Sequence, residues 1–157
     1  MIEAKTLPQI VDMDNKQIGA LLQRVNFGHL GVCRDGRPYV IPIHFAYDKP
    51  GIFFYTTEGL KTEILDVNPT VCLQVEDITD REHWESVIVT GEAERLQTQR
   101  EIDHAMKLIK IVNPKLVPAW SIRWMDSWIR ANHDLVYRIS SYMKTGRRTL
   151  DKDEKGD

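Results

Sequence analysis

The first regular pattern along the chain has helical spacing. Ile18, Leu21, Leu22 and Val25 recur at three- and four-residue intervals behind Asp14, which predicts a capped helix reaching about Arg24. The period then changes to two. "FGHLGVC" and "PYVIPIHFAY" flank "RDGR", and Asp-Gly between β-branched and aromatic runs predicts a tight hairpin. "DKPG", Asp48 to Gly51, turns the chain again into "IFFYT". A short helix is expected from about Glu58 to Asp66, stopped before Asn68-Pro69.

"TVCLQVE" predicts the next strand and "DITDRE" a polar connection. "HWESVIVTGEAERLQ" is a long β-rich run, and its Gly91 suggests a bulge or bend. Thr98 and Glu101 form a capping box that opens a helix to about Lys110, broken by Asn113-Pro114 and Pro118. "AWSIRWMDSWIRA" is helical in pattern, and "DLVYRISSYMK" is a last strand. Five or six strands with mostly short connections and peripheral helices imply a mainly β, antiparallel barrel rather than a βαβ sheet. Strands rich in valine and isoleucine suit a barrel filled by its own side chains. "LDKDEKGD" reads as a solvated tail. Residues 1–148 are expected to form a single domain, with 149–157 disordered.

Composition narrows the function classes. A chain of 157 residues fits one domain, and 42% apolar with 28% charged residues is an ordinary globular mixture. A net charge of -2 gives no global attraction to nucleic acid, so an anionic ligand needs a local basic cluster. No apolar run approaches the roughly 20 residues of a membrane helix, so neither a membrane nor a nucleic-acid partner is expected. "MIEAKTLPQIVDMD" has acidic residues and no signal-peptide core, which makes the cytoplasm the expected compartment. Cys33 and Cys72 lie in apolar runs and read as buried reduced thiols, with a disulfide between them as the alternative.

Most catalytic signatures are absent. No G-x-G-x-x-G follows a strand, and "TTEGLKT" lacks the spacing of a nucleotide-triphosphate loop. "HWE" is not followed by P-C-x-x-C, as a zinc deaminase requires. The five histidines show no H-E-x-x-H or i,i+4 pairing, so a protein-built metal site is not expected. There is no G-x-S-x-G elbow and no local signature of a nucleophilic cysteine. Chemistry must then come from a bound cofactor.

One stretch fits an anion. "FFYTTEGLKTEIL" runs from a strand through Thr56, Thr57 and Gly59 into a helix with Lys61 in its first turn. The positive end of the helix dipole disfavours that lysine by roughly 0.3–1 kcal/mol. A phosphate would reverse the penalty, since free N–H groups, two hydroxyls and an ammonium would converge on it. The competing reading is a solvated lysine paired with Glu58 or Glu63.

Several motifs occur together in order: D-G-R-P-Y with a following proline strand, G-x-K with N-P after it, W-x-S-V-x-V-x-G, and Y-R-I followed by T-G-R. Over about Phe27 to Arg148 the set resembles the pyridoxamine 5'-phosphate oxidase-like FMN-binding split barrels, in their nitroimidazole-resistance-like, flavin-nucleotide-binding branch. The resemblance implies a six-stranded split barrel, a homodimer and FMN at the dimer interface. By position, Lys61 and Thr57 would hold the FMN phosphate, with Thr56 and Tyr55 lining the adjacent strand end. Pro42, Ile43 and His44 would run beside the isoalloxazine ring, while Trp84, Ser86 and Val87 would border the same pocket from the partner subunit. The basic R-x-R-L motif of true pyridoxamine phosphate oxidases is not found here, which argues against vitamin B6 oxidation. Their arginine-rich phosphate clamp is reduced to Lys61, with Arg37, Arg147 and Arg148 as helpers.

His44 reads as a core or edge histidine, with ring or substrate contact, or haem ligation, as the alternatives. Trp120, Trp124 and Trp128 form a helical stripe, read as core or dimer packing or as an aromatic wall over the site. The leading expectation is an FMN-dependent oxidoreductase acting on a small organic or nitro compound. The alternative is a flavin- or haem-binding module without turnover, and a deazaflavin is a third cofactor option.

Overall fold

The computed structural model describes residues 7–49, 51–56, 59–112 and 136–154. The elements run β1 (Ile10–Asp12), α1 (Asn15–Arg24), β2 (Phe27–Arg34), β3 (Arg37–Asp48), β4 (Gly51–Tyr55), α2 (Leu60–Val67), β5 (Thr70–Asp80), β6 (His83–Arg95), α3 (Gln99–Val112) and β7 (Val136–Thr149), with a 3-10 turn at Lys152–Glu154. The helix expected over Trp120, Trp124 and Trp128 lies outside the described residues.

Local chemistry explains the well-placed boundaries. Asp14 caps α1 by accepting from the Gln17 N–H at 2.8 Å, and the Gln17 side chain accepts from the Asp14 N–H at 3.0 Å. At the hairpin tip Asp35 and Gly36 both have positive φ, 52° and 73°, the backbone that an Asp-Gly hairpin turn requires. Thr98 accepts from the Glu101 N–H at 3.2 Å at the start of α3.

The strands pair in the order β7-β4-β3-β2-β5-β6, all antiparallel, and β6 pairs back onto β7. These six close a ring, so the expected six-stranded antiparallel barrel is the architecture observed. The ring is split along one edge of β7. Residues 136–139 of β7 pair with β4 and 147–149 pair with the added strand β1, and among the described residues no strand pairs with the stretch between them on that side. The entry to α1 fills the gap: the Met13 N–H donates to Gly146 O at 2.8 Å. A Cβ on Gly146 would lie 2.8 Å from Met13 Sδ, so glycine permits this close approach.

Alternation along the strands fills the interior. Leu30, Phe45, Phe54, Leu73, Val75, Val87, Val89 and Ile139 are fully buried together with Leu21 and Leu22 of α1. A second cluster forms outside the ring, where Ile102, Ala105, Met106 and Ile109 of α3 cover Ala46 and Phe53.

Three readings needed correction, and a fourth held. β1 was not expected, because a three-residue strand carries no usable period. "DITDRE" is mostly strand, since β5 pairs with β6 out to Asp80, closed by Asp80 accepting from the Glu82 N–H at 2.8 Å. Polar composition there records exposure beyond the core, not loss of pairing. The last strand extends past Lys144 to Thr149, which is buried. Gly91 does mark an irregularity: the register passes from Thr90↔Met143 to Glu92↔Ser140, so the extra residue sits on β7 opposite the glycine.

Candidate functional site

The site begins with an unpaired strand edge. β3 pairs with β2 along Arg37–His44, but β4 covers its other edge only at Phe45–Asp48. Past Tyr55 the chain leaves the sheet and re-enters as α2, so among the described residues no strand pairs with the β4-side edge of β3 between Arg37 and His44. An exposed edge of alternating N–H and C=O groups suits a flat ligand with a polar rim.

The first turn of α2 closes one end of that gap. Thr56, at the end of β4, is buried and Tyr55 is half-buried, with burial pushing its phenol pKa up. The Thr62 hydroxyl, also buried, accepts from the Gly59 N–H at 3.0 Å and donates to Gly59 O at 2.9 Å. That bond fixes the helix entry, and the N–H groups of Leu60, Lys61 and Thr62, like those of any helix start, have no acceptor within their own helix. Lys61 is partly buried and burial lowers its pKa. Among the described residues no carboxylate lies in ion-pair range of its ammonium, Glu63 included.

Beside this turn lies a cleft of about 610 Å³ between the β2–β3 hairpin and α2, lined by Arg34, Arg37, Tyr39, Leu60 and Ile64 among others. A second hollow of about 430 Å³ lies on the β6–β7 face, lined by Trp84, Ser86, Ile88, Thr145 and Arg147. Among the described residues no group of three or more His, Cys, Asp or Glu could hold a metal ion. No helix among them is long and apolar enough to cross a membrane.

A family model described as pyridoxamine 5'-phosphate oxidase matches residues 14–148. The chain belongs to the pyridoxamine 5'-phosphate oxidase family. Among curated relatives it is 27% identical over 92 residues to the uncharacterized protein RA0666 of Rhizobium meliloti, and it spans 61% of that protein's length. A crystal structure of an FAD-binding protein from Mesorhizobium loti matches with TM-score 0.72 and 25% identity over 90% of this chain and 99% of that one. The FAD-binding protein of Mycobacterium smegmatis has the same fold, with TM-score 0.61 and 20% identity over 89% and 99% of the two chains. So does a protein provisionally assigned to 5-nitroimidazole antibiotic resistance from Bacteroides thetaiotaomicron, with TM-score 0.66 and 18% identity over 90% and 89%.

Within this pyridoxamine 5'-phosphate oxidase-family barrel, the residues singled out from sequence separate into groups. Tyr55, Thr56 and Lys61 stand together at the end of β4 and the start of α2, while Thr57 lies outside the described residues. Pro42 is exposed and His44 half-buried on the outer face, where the His44 ring meets Phe27 edge-on at 5.1 Å. Ile43 and Val87 point into the barrel core, so only their backbone groups remain for a ligand. Trp84 and Ser86 line the β6–β7 hollow and do not share the cleft beside α2 within one chain. Of the helper arginines, Arg148 is bound to Glu154 at 2.7 Å and Arg147 faces Asp12 at 3.7 Å. Arg37 alone lines the cleft beside α2. Arg34, Tyr39, Leu60 and Ile64 were missed, because a shared cleft between a hairpin tip and a helix is a long-range consequence of the fold.

Proposed function

We propose that this protein binds the flavin mononucleotide unit of a flavin cofactor along the open edge of β3, with its phosphate at Lys61, and acts as a flavin-dependent oxidoreductase. The observation that carries the reading is the partly buried Lys61 in the first turn of α2, with no described carboxylate in ion-pair range, on a helix whose Leu60 and Ile64 face the Arg37–Tyr39 end of the open β3 edge. Family membership and the FAD-binding relatives support it. The described residues fit the group: the N–H donors of the α2 start and one ammonium for a phosphate, and backbone donors and acceptors for the ring's polar rim, with Thr57 placed beside them by the sequence motif alone. A bound flavin supplies hydride or electron transfer, here toward a small organic or nitro compound. The chain's own residues hold the phosphate, orient the ring edge and exclude water with apolar neighbours.

The outer face supports a homodimer that completes the site. Across five strands the row Val40, Gly31, Cys72, Thr90, Met143 and the row Pro42, His29, Gln74, Ile88, Thr145 contain no Lys, Arg, Asp or Glu. Val40, Ile88 and Met143 are 63%, 43% and 73% exposed in the single chain, a pattern that favours burial against a second copy. That copy would bring Trp84 and Ser86 toward the flavin.

The test is the visible spectrum of purified protein before and after FMN addition, in phosphate-free buffer. A flavin spectrum retained on gel filtration is expected. Colourless protein that takes up no FMN refutes the reading, and sedimentation as a monomer at micromolar concentration refutes the shared site. A haem Soret band in place of flavin absorption would point to the haem-binding alternative, and selective uptake of a deazaflavin to the third.

A further inference from the structure

We infer that His29 makes the pairing of two copies sensitive to pH: the neutral imidazole is buried between them, and its protonation separates them. The inference rests on the homodimer reading and adds a control to that same interface. On the outer face of the ring, His29 of β2 stands opposite Pro42 of β3 and Gln74 of β5. Ile88 and Thr145 continue the row on β6 and β7. Across that row and its neighbour, Val40 to Met143, His29 is the one group whose type gains charge near neutrality. Cys72 is the other titratable group there. Burial pushes its thiol pKa up, so it stays uncharged on acidification.

No described group is placed to neutralise a charged His29. The side chain is exposed in the single chain, and its ring meets Phe27 edge-on at 5.6 Å. Among the described residues no carboxylate lies in ion-pair range of it. The titratable and charged groups around it on this face are Cys33 of β2, His44 of β3, Cys72 and Glu76 of β5, Glu92 of β6 and Arg147 of β7. Glu76 lies two residues along β5 from Gln74, and its carboxylate accepts from the Gln74 amide at 3.0 Å. The same amide donates to Ser86 Oγ at 3.2 Å. His44 belongs to the next row, which also holds Glu76 and Arg147 and forms a polar rim, where a charge stays hydrated.

Closing two copies over this face takes both His29 rings out of water, which disfavours their charged form. Separated chains then hold more protons than the dimer once imidazoles begin to charge. Dimer affinity is therefore flat above that range and falls as pH drops through it. With an ordinary imidazole value of about 6.5, moving from about pH 7.5 to about pH 5.5 weakens association about tenfold per ring, so about 100-fold for the two rings of a symmetric pair.

The test is sedimentation equilibrium of the full-length protein at about pH 7.5 and about pH 5.5, with circular dichroism to follow the fold. It compares the unmodified chain, His29→Gln and His29→Lys. The unmodified dimer is expected to weaken about 100-fold at the lower pH while the chain stays folded. His29→Gln should change by less than about threefold between the two conditions, and His29→Lys should associate weakly in both because its charge is permanent. Equal dimer strength at the two pH values overturns the inference and leaves the homodimer standing. An undiminished pH response in His29→Gln also overturns it, since His44 would then carry the response. Unfolding of the unmodified chain at the lower pH overturns it as well. An unmodified chain that is monomeric at the higher pH removes the homodimer reading and this inference with it.

Discussion

Replacing Lys61 by methionine tests the electrostatic logic of the site most directly. Methionine keeps an unbranched apolar stem of similar length, so the substitution removes the ammonium with little loss of packing. Two opposite effects are expected. Without ligand, the ammonium sits at the positive end of α2 and is partly buried, which holds its pKa below the usual lysine value. Removing it should leave the apoprotein as stable or raise stability by roughly 0.3–1 kcal/mol. With ligand, the same ammonium becomes a charge-assisted donor worth roughly 1.5–3 kcal/mol, so its loss should weaken FMN by about 10- to 150-fold. The pH dependence has a definite sign. A folded-state pKa below the unfolded one means the unfolded chain binds more protons between the two values. The charged lysine therefore costs stability at and below its folded pKa, and apoprotein stability rises as pH climbs through that value toward the ordinary lysine range. FMN affinity should fall over the same window, because the phosphate needs the ammonium. Denaturant titration of the apoprotein and flavin fluorescence titration together check this. An FMN affinity changed less than twofold, or an apoprotein destabilised by more than about 1 kcal/mol, would show that Lys61 is a structural ion-pair partner instead.

Three further outcomes follow from packing and charge. Gly91→Ala places a Cβ 2.8 Å from Tyr142 Cβ and 2.9 Å from Ser140 O, so overpacking should cost roughly 1–3 kcal/mol, read as a lowered urea midpoint. Leu21→Ala removes a fully buried side chain where α1 meets the barrel interior and should cost roughly 2–5 kcal/mol by the same measurement. Arg148 holds the Glu154 carboxyl below the usual carboxylate range, so that contribution is present above the unfolded value of about 4.3 and is lost as pH falls through the lower folded one. Glu154→Gln should accordingly be less stable than the unmodified chain near neutrality, with the gap closing on acidification.

How far the sequence could be read depended on how local each cause was. The Asp14 cap and the Asp35-Gly36 turn were legible because neighbours within a few residues determine them. The far half of β5 was not, since pairing with β6 rather than apolar pattern keeps Asp77–Asp80 extended. The strict period of two could have sorted the ring-lining residues further. Pro42 and His44 cannot share a face with Ile43, nor Ser86 with Val87, and the core claims Ile43 and Val87. The open edge of β3 was invisible, because it exists only where β4 stops pairing at Phe54 and turns into α2.

What the sequence did show was charge in an unfavourable place. Lys61 stood out against its own helix before any partner was known, and Arg34 opposite Arg37 is the same kind of misfit, visible only once the register is known. Each arrangement weakens the bare protein by a few tenths of a kcal/mol up to about one. Either alone has a bland explanation, a solvated side chain on a tolerant surface. Leu60, the residue before Lys61, shares one cleft with Arg34 and Arg37, and an anionic ligand spanning the start of α2 and the hairpin tip would stabilise both misfits at once. On this logic the two misfits are coupled through the ligand. Lys61→Met combined with Arg34→Gln/Arg37→Gln should then give a non-additive loss of flavin affinity, and strict additivity would separate them into unrelated accidents.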